Sequence, residues 1–173
     1  MSEAPDFVEP LEAWRVWHVV RRDGKYTLRS VVQPTLWPAG SALVAECRAG
    51  RAFLQRLRPR QPRHDAPDVH CECGIYAAGL DVVGRYAADA PFSHVSHVLG
   101  QVALWGVVVE CERGYRASHA YPTRIYVPAD AGEQWRIGWD EVALGLCRYG
   151  VPVEPVGARA ADATQYLSDR QAA

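Results

Sequence analysis

The segment Val98–Glu112 constrains the fold of this chain most, because it is long, apolar and rich in valine. It reads VLGQVALWGVVVECE and is followed by Arg113-Gly114, which predicts a turn, and by a second strand-like run, Tyr115–Val127. Two such runs joined by a short turn predict an antiparallel hairpin. Proline cannot donate a ladder hydrogen bond, so Pro122 places its part of the second run near an edge or a bulge. The fold must therefore contain a sheet built around this hairpin.

Other segments supply further strands. Ala13–Val20 carries apolar groups on both alternating faces, which is typical of a central strand. A turn of the Asp-Gly kind at Arg22–Lys25 leads into Tyr26–Val32, so these segments predict a second hairpin. Short strands are predicted for Ser41–Cys47 and Cys73–Ala78.

Two helices are expected. One is a helical segment near Leu80–Ala88, and the other is Glu141–Tyr149, where Asp140 is a favourable N-cap and Gly150 follows the last turn. Val151–Val156 is extended. Together these elements predict an α+β fold: a mostly antiparallel, twisted sheet with a few short helices packed on it.

The length of 173 residues suits a single domain. We expect an N-terminal arm over residues 1–12, one α+β domain over residues 13–157 and a C-terminal tail over residues 158–173. The domain contains an arginine- and proline-rich loop over residues 48–68. Loops of this length in a compact domain are usually functional or disordered.

The net charge and the search for targeting segments limit which partners and which cellular compartment are expected. The formal net charge is −1, which argues against a general nucleic-acid binder. No signal peptide and no run of about 18 apolar residues is found, so a cytoplasmic location is expected. Five cysteines in such a chain suggest thiols or metal ligands rather than a disulfide framework.

The most distinctive chemistry lies between Cys47 and Cys73. Zinc prefers four thiolate or imidazole ligands in a tetrahedron. The sequence predicts such a structural site, formed by Cys47, His64, Cys71 and Cys73, with His70 as the alternative to His64. The spacing is not that of a standard zinc motif, so the other interpretation stays open: these cysteines are small buried hydrophobic residues.

The loop before this cluster is strongly basic. Arginine recurs through it without an acid between Glu46 and Asp65, which creates a local positive potential. The candidate anion-binding residues are Arg56, Arg58, Arg60 and Arg63. An anionic ligand or protein partner is favoured over nucleic acid, because Phe53 is the loop's only aromatic residue for base stacking. A solvated surface insertion is the alternative.

Familiar catalytic signatures of hydrolases, kinases, nucleotide hydrolases and zinc proteases are absent. Arg113 and Arg116, which flank a predicted turn beside Glu110 and Glu112, are expected to form a surface ion-pair cluster. The sequence thus favours a small non-enzymatic binding or accessory domain.

Two resemblances extend this interpretation. The segments CECGIYAA, VLGQVALWG and ERGYRASHAYP resemble a group of small actinobacterial proteins, which implies no activity. GIYAA and VLGQVALWG are also similar to segments of the poly(ADP-ribose) polymerases, whose fold binds NAD through a histidine on its opening strand and a stacking tyrosine. That resemblance implies an alternative function, an ADP-ribosyltransferase that uses NAD as substrate, with His18 and Tyr76 in its pocket.

Overall fold

The computed structural model describes residues 9–47, 64–89, 97–128, 139–156 and residue 169. A sheet dominates this part of the chain, and two short helices pack on it. The strands are β1 (Leu11–Arg22), β2 (Lys25–Ser30), β3 (Leu43–Val44), β4 (Ile75–Ala77), β5 (His97–Cys111), β6 (Gly114–Pro128) and β7 (Val153–Val156). The helices are α1 (Leu80–Asp89) and α2 (Trp139–Leu146), and a 3-10 turn, Cys147–Tyr149, follows α2.

The hairpin predicted from the two long apolar runs is confirmed. β5 and β6 pair antiparallel, from Leu99 opposite Tyr126 to Cys111 opposite Gly114. The ladder shifts register between Gln101 and Val102, and Val102 lies opposite Pro122. The proline therefore stands at an irregularity, where a missing N–H costs least.

The strand order is β2-β1-β5-β6, and the far edge of β6 is shared by three short strands, β3, β4 and β7. β7 runs parallel to β6, whereas the other pairs are antiparallel. The predicted sheet-dominated α+β fold is thus confirmed, and the sheet is mixed. The parallel pair could not be anticipated because the chain passes through α2 before β7 returns to β6.

β1 begins earlier than the sequence suggested. Leu11 and Glu12 are paired with Leu104 and Ala103, so they belong to the strand and not to an N-terminal arm. Residues 1–8, the arginine-rich residues 48–63 and, apart from Asp169, the predicted tail from residue 158 on lie outside the described residues.

Apolar groups cover both faces of the sheet. On one face Trp17 and Trp37 are fully buried and meet edge to face at 5.3 Å, beneath Val142 and Leu146 of α2. Burying a tryptophan side chain contributes about 4–6 kcal/mol as an upper estimate. On the other face Trp14 stacks on Tyr126 beside α1. Within the described ranges, no helix is long and apolar enough to cross a membrane.

Candidate metal centre

The strand pairing explains why Cys47 lies close to the C-x-C pair, which is more than 20 residues away in sequence. β3 pairs with β6 at His119 and Ala120, and β4 pairs with the adjoining stretch from Tyr115 to Ala117. Both short strands run antiparallel to β6, so the end of β3 meets the start of β4. Cys47 follows β3 by three residues, and Cys73 precedes β4 by two. The two cysteines are therefore delivered to one point on the sheet edge.

The ligand atoms of Cys47, His64, Cys71 and Cys73 all lie within 4.8 Å of one another. The Cys47 and Cys71 sulfurs are 3.9 Å apart, and His64 Nε2 lies 3.2 Å from Cys73 Sγ. Zinc bond lengths of about 2.3 Å to sulfur and 2.0–2.1 Å to nitrogen place tetrahedral ligands about 3.8 Å (S–S) and 3.6 Å (S–N) apart. The four side chains are therefore close enough together to hold a metal ion such as zinc.

Local backbone chemistry shapes the segment that carries two of these ligands. The Asp68 carboxylate accepts a hydrogen bond from the His70 N–H at 2.8 Å, and the Asp68 carbonyl accepts one from the Cys71 N–H at 3.2 Å. Such a turn is a characteristic use of aspartate. Gly74 then adopts φ +125°, and a Cβ there would lie 3.0 Å from the Arg116 Cβ. Glycine is therefore required immediately after the second cysteine of the C-x-C pair.

Arg116 ties this segment to the sheet. Its side chain is 93% buried, and its Nη1 donates to the carbonyl oxygens of Cys71, Cys73 and Asp68, the last two at 3.2 and 3.3 Å. Its Nε donates to Cys111 Sγ at 3.2 Å. The prediction that Arg116 belongs to a surface ion-pair cluster is wrong, because the loop carrying the cysteines covers it. The sequence did not predict that Arg116 is buried and binds this segment. The signal that could have indicated it is the position of an arginine within a strand-like run.

The buried cation also fits the charge of a metal site. Three thiolates and one Zn²⁺ carry a net charge of −1, and a guanidinium carries +1. Donation to the carbonyls of Cys71 and Cys73 places that positive charge beside two of the four ligand residues. A buried charge is tolerated when it is paired and hydrogen-bonded.

The pKa values of the clustered thiols are shifted in opposite directions. Burial, with smaller contributions from the neighbouring Cys71 and Cys47 sulfurs, raises the pKa of the Cys73 thiol to about 11. Burial also opposes ionisation of Cys71, but hydrogen bonds from the Cys73 backbone, and with the Cys73, Cys47 and His64 side chains, lower its pKa overall. One thiolate is therefore favoured in the metal-free cluster and the next is resisted. A divalent cation removes this conflict, since it stabilises every thiolate it binds.

The structure distinguishes the two candidate histidines. His64 is half-buried and lies in the cluster, whereas His70 is exposed and is not part of it. Four protein ligands form a closed set, which is typical of structural rather than catalytic zinc.

The remaining predicted residues have different outcomes. Arg56, Arg58, Arg60 and Arg63 lie outside the described residues. His18 is buried on β1, with its ring 4.3 Å from that of His97, and Tyr76 is 47% exposed on β4. Burial, and secondarily the charge of Arg29, lower the pKa of His18. Tyr76 lines a cavity on its face of the sheet, and His18 is not among the lining residues described for it.

Comparison of the chain with protein-family models, with curated proteins and with solved structures finds no match.

Proposed function

We propose that this chain is a small non-enzymatic binding domain, held together in part by a structural zinc ion, that presents an arginine-rich segment to an anionic ligand or protein partner. The observation that carries the proposal is the convergence of Cys47, His64, Cys71 and Cys73 within 4.8 Å. Three sulfurs and one imidazole are a donor set that favours zinc over the hard cations calcium and magnesium. The free thiols favour a reducing compartment such as the cytoplasm for such a protein.

The order of the ligands along the chain connects the metal to the arginines. Residues 48–63 contain six arginines and no acid, and they lie directly between Cys47 and His64. A zinc ion bound to both flanking residues closes this segment into a loop whose two ends are fixed on the edge of β6. A closed loop has fewer conformations before binding, so the segment loses less conformational entropy when a partner binds. Zinc therefore prepares the arginines for a multiply charged partner.

The test compares binding of a fluorescent polyglutamate peptide to charge-matched variants. Arg58→Gln with Arg60→Gln removes two charges from the segment, and Arg21→Gln with Arg22→Gln removes two from the exposed end of β1. The segment variant should bind about tenfold more weakly, since exposed ion pairs contribute up to about 1 kcal/mol each. The β1 variant should bind like the wild type, and chelation of zinc should weaken binding to the wild type.

Equal losses in the two variants would show that only net charge matters and would refute the role of the segment. A single-stranded RNA oligonucleotide serves as the second probe. Tighter binding of RNA than of the peptide, with a steep dependence on salt, would replace the protein partner by nucleic acid.

A further inference from the structure

A cavity outside the cysteine cluster opens on the face of the sheet that carries Trp14. Its volume is about 330 Å³, within the range of pockets that hold small ligands. Strands β1 and β4, helix α1 and the turn between β5 and β6 form its walls. Its lining is predominantly apolar and includes Trp14, Val16, Val32, Tyr76, Val82 and Tyr115.

The apolar walls are exposed where a ligand would enter. Val32 is 82% exposed and Tyr76 is 47% exposed, although both belong to the lining. The β5–β6 turn forms one wall by approaching β4 closely. Gly114 adopts φ +145°, and a Cβ there would lie 2.3 Å from the Ala77 carbonyl oxygen, so this approach requires glycine.

The charged residues in the described lining of the cavity are basic. Arg15 and Arg113 are among the lining residues, and the described lining contains no aspartate or glutamate. Arg113 is exposed and has no ion-pair partner within the described part of the chain. An exposed guanidinium beside an apolar pocket complements a ligand with an apolar body and one terminal carboxylate, since arginine binds carboxylates with a matching planar geometry.

We infer that this cavity is a binding site for a small apolar carboxylate, of the size and chemistry of a medium-chain fatty acid. The hydrocarbon lies against Trp14, Val16 and Val82, and the carboxylate faces Arg113. The described lining contains none of the four proposed zinc ligands and none of the candidate anion-binding arginines, so failure of this inference would leave the metal content and polyglutamate binding unchanged.

Isothermal titration of the full chain with octanoate, and with octanol as a neutral ligand of equal length, tests the inference. Octanoate should bind at about millimolar concentration or below, and octanol more weakly. Arg113→Gln should weaken octanoate about twofold to fivefold and leave octanol unchanged. Arg22→Gln, at an exposed arginine outside the cavity, should change neither.

A cavity-filling variant supplies the steric test. Val82→Trp places an indole in the pocket from a half-exposed position on α1 and should abolish octanoate binding. Leu144→Trp, at a 76% exposed position on α2, should leave binding unchanged. A circular dichroism spectrum and a melting temperature close to those of the wild type establish that both variants fold. The inference is overturned if octanoate does not bind the wild type, if octanol binds equally well, or if folded Val82→Trp still binds octanoate.

Discussion

Replacing Cys71 by serine is the perturbation that most directly separates a metal ligand from an ordinary buried cysteine. The substitution keeps the size of the side chain nearly constant but removes a soft thiolate ligand. Cys71 is only half-buried, so the substitution itself should cost little in the metal-free protein. Its main effect should therefore appear only when zinc is present.

The magnitude follows from linkage between binding and folding. Free zinc at 100 times its dissociation constant stabilises the native state by about 2.7 kcal/mol. At about 2.1 cal/mol/K per residue, the unfolding entropy of 173 residues is about 0.36 kcal/mol/K. The wild type should therefore gain about 7 °C in melting temperature from zinc. Cys71→Ser should lose most of this gain.

The assay is differential scanning calorimetry of both proteins under reducing conditions, with zinc and with chelator. Cys147→Ser is the matched control, because Cys147 is exposed on the 3-10 turn and outside the cluster. It should keep the full response to zinc. If Cys71→Ser responds to zinc like the wild type, or if Cys147→Ser loses the response equally, Cys71 is not a zinc ligand.

Three further predictions concern the ligand segment, the core and pH. Arg116→Lys should weaken zinc binding about tenfold or more in a competition titration, because lysine cannot reproduce the guanidinium contacts that position the ligand segment. Tyr149→Phe should lower the free energy of unfolding by about 2–4 kcal/mol in urea titrations, because its hydroxyl accepts from the Leu28 N–H and donates to the Trp37 carbonyl, both buried. The lowered pKa of His18 means that the unfolded chain binds its proton more tightly, so stability should fall as pH drops below 6.5. His18→Phe should flatten that part of the stability profile, and an unchanged slope would exclude His18 as its origin.

Much of the fold could be read from local patterns. Val98–Glu112 and Tyr115–Val127 form strands because alternation and β-branched residues act locally, and Gly114 sets the turn between them. The parallel placement of β7 depends instead on a tertiary contact with β6 that leaves no periodic signal.

Part of the candidate site could likewise be predicted from the sequence, and part depends on tertiary contacts. Residue types and the C-x-C pair sufficed to select the three cysteines and to narrow the fourth ligand to His64 or His70, because these residues are concentrated between Cys47 and Cys73. The choice of His64 over His70 required the geometry of the turn at Asp68. The role of Arg116 depends on carbonyls 43–48 residues away, and the cavity depends on four separate elements, so neither could be predicted from sequence.

Elemental analysis shows whether Cys47, His64, Cys71 and Cys73 hold one zinc ion. The wild type, His64→Ala and His70→Ala are each purified without a metal-affinity column. We expect about one zinc per chain in the wild type and in His70→Ala, and a clear loss in His64→Ala. A wild-type protein that lacks bound metal and also fails to take up added zinc would show that these residues do not form a zinc site.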